Sequence, residues 1–548
     1  MTKKISWLLL SMTICLNLFA QTPIPEGPKN IQSPNVASLG SYLDVPVSLF
    51  TGTPNIQVPI FNVTNTGGVT VPINLSYNAH GFRPDEHPGW VGSGWSLEAG
   101  GAIMRTVKDA PDDYSNPNYA YGGNAGFYYR HSIINNPNWN QQAFMKTIAQ
   151  TDSMFEDTET DEYSFAYPGG SGKFYIDPSG NWQVKCDKPV KVSFDGTFLN
   201  VPFTAPLGTR MQTYGNSKTF GGFTITDERG NQFVFGGSTD AIEYSIPFFN
   251  QNIAEWTAQA WYLTKIVPAN GPPVSLSYIR GSYINQMAIS MYNNLQTKSV
   301  SSAGIFNPTP SCSSWDWKSV DASYSGMLVS PAYLTTISAA NINVSFKTST
   351  SNELRYANSA YAWSNTMWQQ STDPEKGSEF LPILYLAEGS IPYPSCLSQL
   401  QWKRLDTVVI SSKSNTVLRK FVFGYNNDAN KRLFLQSLTE QDGSGVSKPP
   451  YGFSYDTSVA LPGYLANMTD HWGFYNGTYA DVSNIQAYYL LYYSYREPHA
   501  EYLYSMQAPS TGLIIRPEEQ PFFPLNPIST ARGCRSTGQT GSIRPTTN

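Results

Sequence analysis

Charged residues are unusually scarce in this sequence. Asp, Glu, Lys and Arg make up 14% of its 548 residues, against roughly 25% in an average soluble domain. The scarcity of Lys, Glu and Arg, which favour helices, excludes a coiled coil or a helix bundle. With 35 Lys and Arg against 40 Asp and Glu, no basic stripe is available to neutralise phosphates, so a nucleic-acid partner is not predicted.

Long apolar runs are also lacking beyond the N-terminus. Lys3 and Lys4 precede an apolar stretch over residues 5–18, and Ala20 follows it. This pattern predicts a secretory signal peptide over residues 1–20, because a membrane span needs about 20 apolar residues. We therefore expect a secreted or extracytoplasmic protein, at the outer surface or in the periplasm. No membrane span is predicted after the signal is removed.

Cysteine is rare as well, at 5 residues in the chain. The sequence has no Cys-x-x-Cys pair and no Cys/His spacing typical of a metal site. Four cysteines remain after the predicted cleavage: Cys186, Cys312, Cys396 and Cys534. They allow three sets of disulfide pairings, between which the sequence cannot choose. Cys312 and Cys396 each follow Pro-Ser, so a bridge between them in an oxidising compartment is one hypothesis, and free thiols are the other.

Aromatic residues, glycine and proline are abundant. There are 35 Tyr, 28 Phe and 13 Trp beside 43 Gly and 39 Pro. Plentiful aromatics with a low net charge exclude a disordered chain. Most segments alternate apolar and polar residues with a period of two, which is typical of half-buried strands. Weak helical character is limited to residues 141–150 and 351–369, so the predicted fold class is all-β.

Pairs of these strands are predicted to form β-hairpins, because turn signals separate them. The pairs are 56–60 with 73–77, 223–226 with 233–235, 262–266 with 274–278, 333–337 with 344–346, and 404–410 with 417–425. A hairpin cannot bury its apolar face alone, so neighbouring hairpins must pair into a larger sheet. We expect one large curved antiparallel sheet of paired hairpins, and we leave a β-sandwich-like N-terminal part open.

Composition divides the chain into seven segments. These are a signal peptide (1–20), a Gly/Pro-rich N-terminal β region (21–115), an inserted loop (116–150), a β region (151–250), a hairpin-array β region (251–455), an aromatic-rich β end (456–503) and a disordered or truncated tail (504–548).

Several separated motifs together carry a resemblance to a known family. In chain order they are 33–40 (SPNVASLG), 45–54 (VPVSLFTGTP), 72–77 (PINLSY), 90–97 (WVGSGWSL), 161–165 (DEYSF), 171–174 (SGKF), 261–266 (WYLTKI), 449–451 (PPY) and 470–477 (DHWGFYNG). They resemble the N-terminal region of secreted bacterial Rhs/YD-repeat proteins, especially those of Bacteroidetes. The GWSL segment also resembles one in toxin-complex B components and virulence-plasmid B proteins. The resemblance spans roughly residues 30–502.

This resemblance implies part of an Rhs-like β shell that encloses a C-terminal toxin or effector polypeptide. The chain departs from the family pattern after about Tyr502, and one loose repeat match occurs at 425–433 (YNNDANKRL). The departure suggests a truncated or frame-shifted relative.

The first candidate site is the 89–95 motif (GWVGSGW), whose Trp90 and Trp95 could stack on sugars or on cations. Glycines at positions 89, 92 and 94 permit tight turns and close backbone approach. We therefore favour a structural role, in which the two Trp side chains fill the core.

The second candidate is an acidic run between residues 152 and 162. It contains Asp152, Glu156, Asp157, Glu159, Asp161 and Glu162. Carboxylates at 157, 159 and 161 alternate onto one face and offer the oxygen ligands that Ca²⁺ prefers. The run lacks the Gly and the terminal Glu of an EF-hand loop. We predict a solvated acidic loop, and we leave Ca²⁺ binding open.

Histidines and further carboxylates form no recognised site. The five histidines are His80, His87, His131, His471 and His499. His80 and His87 flank Asp85 and Glu86 without the spacing of a metal site. Asp85 and Glu86 are adjacent, so a strand would point them to opposite faces rather than pair them for glycoside hydrolysis.

Two further motifs are set aside. Asp470 and His471 could share a hydrogen bond, but no partnered nucleophile completes a triad. The 169–173 segment (GGSGK) lacks the first Gly and the Ser/Thr of a phosphate loop.

No residue is therefore assigned a catalytic, cofactor-binding or metal-binding role, and the chain is predicted not to be an enzyme. The predicted function is a secreted or cell-surface β scaffold, the N-terminal shell portion of an Rhs/YD-repeat-like protein. Its expected partner is a polypeptide, either a C-terminal Rhs/effector segment or a neighbouring toxin. The alternatives are a surface polysaccharide-binding or adhesion protein and, third, a glycoside hydrolase.

Overall fold

The structure is a computed structural model, which divides into two units at Pro46 and Val47. All of the residues that it describes belong to the second unit: 56–78, 81–115, 124–138, 157–203, 218–248, 255–298, 314–354, 399–464, 470, 472–477, 503–507 and 514–515. The predicted signal peptide, the helical prediction at 141–150, and Cys312, Cys396 and Cys534 lie outside these residues.

The described elements are almost all strands. The strands run β1 (Ile56–Thr64), β2 (Thr70–Tyr77), β3 (Trp95–Ala99), β4 (Ala102–Thr106), β5 (Glu162–Tyr167), β6 (Gly170–Ile176), β7 (Trp182–Cys186), β8 (Lys191–Phe194), β9 (Phe198–Asn200), β10 (Lys218–Phe220), β11 (Gly222–Thr226), β12 (Gln232–Gly236), β13 (Ile242–Pro247), β14 (Thr257–Val267), β15 (Val274–Arg280), β16 (Ile284–Lys298), β17 (Ser314–Ser330), β18 (Ala332–Ser338), β19 (Ile342–Thr350), β20 (Lys403–Ser412), β21 (Val417–Tyr425), β22 (Leu435–Asp442), β23 (Tyr451–Tyr455), β24 (Leu503–Gln507) and β25 (Ile514–Ile515). One short helix, α1 (Phe127–Arg130), and two 3₁₀ turns (His131–Asn135 and Thr239–Ala241) complete the set. The all-β prediction is confirmed.

Strand β14 joins the parts of a large antiparallel sheet. Its first half pairs with β13 on one side and β4 on the other, and its second half pairs with β12 and β15. From β15 the sheet continues through β18 to β25, and from β4 it continues through β5 to β7. On the side of β12 it continues to β11 and β8, and β13 leads to the long hairpin of β16 and β17.

The five predicted hairpins are all present. They are β1 with β2, β11 with β12, β14 with β15, β18 with β19, and β20 with β21. The last three lie side by side, because β15 pairs with β18 and β19 pairs with β20. Neighbouring hairpins therefore share one sheet, as the argument from burial requires.

A second layer covers part of this sheet. Strands β1, β2 and β3 form a separate three-stranded sheet, and alternate residues of β1 and β2 are buried. On the large sheet, the Phe453 ring lies 4.7 Å from the Trp95 ring of β3. A Cβ on Gly100, just after β3, would meet Leu276 at 2.9 Å. The N-terminal strands thus form a sandwich with the large sheet, and each apolar side chain buried there contributes about 1.5–3 kcal/mol.

Strands β4 to β8 with β11, β12 and β14, here called the aromatic wall, enclose a cluster of rings. Tyr163 stacks on Phe174 at 4.9 Å, and Phe223 contacts both Trp182 and Trp261, with ring centroids 5.4 and 5.3 Å apart. Trp261, at the centre of β14, is fully buried and donates its indole N–H to the Phe220 carbonyl at 2.8 Å. Strands β7 and β8 follow each other in the chain, but no backbone ladder joins these two described strands.

One kind of turn recurs in the described chain. It occupies 65–69, 177–181, 227–231, 412–416, 442–446 and 470–474. In each turn the first side chain, of Asn, Asp or Ser, accepts the N–H of the fifth residue. The fourth residue, Gly or Asn, has a φ between 63° and 88°, and its N–H reaches the first carbonyl. This is a three-residue hairpin loop with a left-handed residue at its end, and five of the six turns join consecutive strands.

Among the described residues, no helix is long and apolar enough to cross a membrane.

Candidate functional site

A cleft of about 200 Å³ lies beside the 89–95 motif. Its lining mixes charged, aromatic and small residues, among them Phe82, Arg83, Glu86, His87, Ser93 and Trp95. The cleft therefore brings the motif together with Glu86, considered from the sequence for a carboxylate pair, and His87, considered for a metal cluster.

The 89–95 motif is pinned to the large sheet through its backbone. Ser93 donates its N–H to the Leu433 carbonyl at 2.8 Å, and Leu405 donates its N–H to the Trp90 carbonyl at 2.8 Å. Gly92 has a φ of +94°, and a Cβ there would meet the Leu435 nitrogen at 3.0 Å. Both the backbone conformation and the close approach therefore require glycine at this position.

The two Trp side chains of the motif differ in burial. Trp95 is 4% exposed and donates its indole N–H to the Tyr455 hydroxyl at 2.8 Å. Trp90 is half-buried, with its ring 5.6 Å from the Tyr333 ring. Trp95 is thus a core residue, as we favoured from the sequence, whereas Trp90 retains an exposed part.

His87 lies within a stack of rings. Its imidazole is nearly parallel to Trp402 at 4.0 Å and to Tyr464 at 5.0 Å. Burial lowers the pKa of His87 to about 3, so the ring is neutral at physiological pH. The neutral, stacked imidazole of His87 therefore has a packing role.

Arg432 continues the same stack and holds the loop that contains His87. Its guanidinium lies over the Tyr464 ring at 4.1 Å and over the Phe82 ring at 4.5 Å. It donates to the carbonyls of Pro84 at 2.6 Å, Glu86 at 2.8 Å and Pro462 at 3.3 Å. One buried cation thus ties two loops to the chain before β22.

Glu353 fixes the neighbouring backbone. Its carboxylate accepts the Leu433 N–H at 3.0 Å and the Ser351 hydroxyl at 3.1 Å. The side chain is buried, and burial raises the pKa of Glu353 to about 7. The Leu433 carbonyl also accepts the Ser93 N–H, so Glu353 stabilises the 89–95 motif indirectly, through the backbone of Leu433.

The acidic run departs from its predicted state. Asp157 and Asp161 are fully buried, whereas Glu159 between them is exposed. The prediction of a solvated acidic loop is therefore wrong for these two residues. Asp152 and Glu156 lie outside the described residues.

The buried carboxylates are occupied by protein donors. Asp161 accepts the N–H groups of Lys108 and Asp112, both at 2.9 Å, and Asp112 accepts the N–H of Asp161 at 3.0 Å and the Tyr163 hydroxyl at 2.9 Å. Asp157 accepts the N–H groups of Phe127 and Glu159. Within the described chain, no group of three or more His, Cys, Asp or Glu residues is arranged to hold a metal ion.

Arg105 is the cation of this cluster. It pairs with Asp113 at 2.9 Å and with Asp161 at 3.4 Å. Asp113 in turn accepts the Thr219 hydroxyl and the Phe220 N–H, both at 2.7 Å. The cluster therefore connects β4, β5, β10 and the loop after β4.

Burial dominates the titration of these groups. It raises the pKa of Asp157 to about 8 and that of Asp161 to about 6. Burial, and then the charge of Asp161, raises the pKa of Asp112 well above its usual range. Burial opposes the charged form of Arg105, but the neighbouring carboxylates, Asp113 first, outweigh it and raise the pKa of this side chain.

The other sequence candidates are dispersed. His131 contacts the Pro178 carbonyl at 3.0 Å through Nδ1, and Asp470 accepts the N–H groups of Trp472 and Phe474 in its turn. Segment 169–173 forms the end of the β5–β6 hairpin and the start of β6. Cys186 is a free, half-buried thiol. His80, His471 and His499 lie outside the described residues.

Sequence reasoning missed Arg105, Asp112, Asp113, Arg432 and Glu353. A signal for Arg105 was available, since alternation in β4 puts it on the same face as Ile103, which is buried in the core. A lone cation on the apolar face of a strand indicates buried carboxylate partners. For Arg432 and Glu353 no local pattern exists, because their partners come from distant loops.

Comparison with known proteins gives weak matches. No protein-family profile matches the chain, and no curated protein matches it in sequence. The solved structures that resemble it include a crystal structure of TcdB2-TccC3 (TM-score 0.28, 10% identity, 74% of this chain and 16% of that one). A crystal structure of TcdB2-TccC3-Cdc42 (TM-score 0.29, 10% identity, 73% and 16%) also resembles it. So does a Photorhabdus luminescens Tc holotoxin pore carrying a TccC3 mutation (TM-score 0.28, 11% identity, 74% and 16%).

The chain spans about 16% of the length of the solved chains that it matches. These TM-scores are too low to place it in a family.

Proposed function

We propose that this chain is a non-catalytic β scaffold that packs against or encloses a partner polypeptide. In this proposal it is the N-terminal shell portion of an Rhs/YD-repeat-like protein. Motifs that occur in order over roughly residues 30–502 support this origin, and so does the large antiparallel sheet of adjoining hairpins.

The observation that carries the proposal is the use made of buried charge. In the described chain, the carboxylates of Asp112, Asp113, Asp157, Asp161 and Glu353 accept backbone N–H groups, Arg105 pairs with Asp113 and Asp161, and Arg432 donates to backbone carbonyls. Catalytic groups need contact with a substrate, whereas these groups contact backbone and side-chain groups of their own chain. Buried charges that stabilise the backbone in this way suit a scaffold.

The proposed partner is a polypeptide, namely a C-terminal Rhs/effector segment or a neighbouring toxin. Residues 1–20 support export, so the proposed location is extracytoplasmic. A sparsely charged chain offers little for phosphate binding, which argues against a nucleic acid.

The test uses the chain without residues 1–20, co-expressed with a C-terminal YD-repeat segment from a neighbouring gene. We expect co-elution in size-exclusion chromatography with light scattering, and slower proteolysis of the segment. An unrelated secreted β-sandwich protein of similar mass is the control. Separate elution, with an unchanged rate of proteolysis, would contradict the scaffold role.

A polysaccharide-binding function is the second candidate, and one observation favours it. Trp472 is 56% exposed in the 470–474 turn, and Phe474 of the same turn lies 4.4 Å beneath the guanidinium of Arg83, which lines the cleft. An exposed indole beside a polar cleft can stack on a sugar ring. A glycan array should then show binding that Trp472→Ala abolishes and Tyr175→Ala, at an exposed ring of the aromatic wall, leaves intact. Failure to bind any glycan removes this candidate.

A further inference from the structure

A short piece of the predicted insert, residues 124–138, docks on the aromatic wall through the buried acidic cluster. The Phe127 N–H reaches Asp157 Oδ2 at 3.2 Å, and the Tyr128 N–H reaches the Asp112 carbonyl at 2.9 Å. The backbone N–H of Asp157 donates to the Ala125 carbonyl at 2.9 Å. Asp157 therefore holds the insert through its carboxylate and its backbone N–H, and Asp112 holds it through its backbone carbonyl.

Side-chain packing completes this docking. Phe127 is buried, and the Tyr128 ring contacts Phe194, Phe198 and Phe220 at 5.2–5.9 Å between ring centroids. A Cβ on Gly126 would clash with the Asp112 carbonyl oxygen. The insert backbone thus lies directly against the residues that carry the cluster.

Among the residues that the structure describes, the cluster has more carboxylates than cations. Arg105 faces Asp113 and Asp161 directly, whereas the described partners of Asp157 are backbone N–H groups. The described charged or titratable groups in and around the cluster are Arg105 on β4, Lys108, Asp109, Asp112 and Asp113 on the following loop, Tyr129 on the insert, Glu159 before β5, and Asp161 and Tyr163 at β5. Full ionisation would place more negative than positive charge away from water within this described part of the chain, which is costly.

We propose that the cluster is a proton-dependent latch for residues 124–138, in which Asp157, with Asp112 and Asp161, holds the segment most tightly in mildly acidic solution. Protonation removes the cost of holding an ionised carboxylate away from water, to which repulsion between Asp157 and Asp161 adds a smaller part. The carbonyl oxygen of the protonated carboxyl still accepts a backbone N–H group. Loss of the proton restores that cost directly beneath the insert. The segment then opens more often.

The direction of the pH dependence follows from the titration. A carboxyl whose folded pKa is raised contributes stability that is complete below its unfolded pKa, near 4. That stability is lost as the pH rises through the folded pKa, which is about 6 for Asp161 and about 8 for Asp157. The latch therefore weakens progressively from mild acid to about pH 8.

Amide hydrogen exchange read by mass spectrometry tests this inference in the full chain. We expect the protection of peptides covering 124–138, corrected for intrinsic exchange, to fall at least tenfold between pH 5 and pH 9. Asp157→Asn, which keeps the shape without the charge, should flatten this dependence. Asp195→Asn is the matched control, because Asp195 is exposed and accepts the N–H of Thr197; it should behave like wild type.

Three outcomes would overturn the latch. They are constant protection across this pH range, an unchanged fall in Asp157→Asn, and an equal fall in peptides from β20 and β21, which would indicate global unfolding. Near-UV circular dichroism checks that Asp157→Asn is folded. If it is not, Asp112→Asn takes its place with the same expectations.

Discussion

The aromatic wall and the N-terminal sandwich solve the same problem with opposite chemistry. Both must hold irregular loops against a sheet. In the wall, buried carboxylates such as Asp113 and Asp157 accept backbone N–H groups. In the loop between β2 and β3 of the sandwich, the backbone carbonyls of Pro84 and Glu86 accept from the guanidinium of Arg432, which precedes β22. Loops held by several carboxylate acceptors gather negative charge, so their stability depends on pH. A loop held by one guanidinium, which stays charged, does not acquire that dependence from its anchor.

The strongest test of this contrast is Arg105→Met. It leaves the carboxylates of the wall without their cation, so we expect a loss of about 3–5 kcal/mol in the free energy of unfolding. Urea denaturation followed by fluorescence measures it. Arg404→Met is the control, because its pair with Asp406 is partly exposed, and it should cost less than about 1 kcal/mol. Equal effects of the two substitutions would break the comparison.

Arg432→Met should cost less than Arg105→Met. It orphans neutral carbonyls rather than charged groups, so we expect a loss of about 2–3 kcal/mol. The same urea titration measures this loss at pH 5, where Glu353 is protonated. A larger loss than that of Arg105→Met would show that donor-based anchoring carries more of the stability.

Glu353, after β19, is a carboxylate acceptor like those of the wall, and it extends the comparison through pH. Its folded pKa of about 7 lies above the unfolded value, so its contribution is complete in acid and is lost as the pH rises through 7. Between pH 5 and pH 8 the free energy of unfolding of wild type should therefore fall by about 2 kcal/mol more than that of Glu353→Gln. Parallel pH profiles for the two proteins would contradict this assignment.

The smallest effect is expected at a surface turn, where water competes with the anchor. Asp227→Ala removes the acceptor for the N–H groups of Arg229 and Asn231, and we expect a loss of about 1 kcal/mol. Glu228→Ala in the same turn should lie within about 0.5 kcal/mol of wild type. Thermal unfolding distinguishes the two, and equal melting temperatures would show that the Asp side chain is dispensable.

Much of the fold could be predicted because alternation is a local property. Residues 223–226 and 233–235 alternate around a turn signal, and they form β11 and β12. The sharing of β14 among four neighbours was not predictable, since Ile103 pairs with Trp261 from a distant part of the chain. Register between such segments depends on packing that no local pattern encodes.

The candidate site was predictable only in part. Glycines in the 89–95 motif indicated close backbone approach, and Gly92 shows it. The acidic run misled because Asp157 and Asp161 alternate with exposed Glu159 as a surface loop would. Their burial depends on Arg105 and on the loop after β4, which lie about 50 residues earlier in the chain.

The recurrent five-residue turn has a consequence for the order of folding. A hairpin closed by such a turn needs contacts between residues that are near in sequence, and it forms in about 1–10 μs. Pairings such as β4 with β14 must instead close a long loop, whose entropic cost delays them. The turns at 177–181, 227–231, 412–416 and 442–446 would therefore produce several independent hairpins early. Assembly of these hairpins around β14 would set the folding rate.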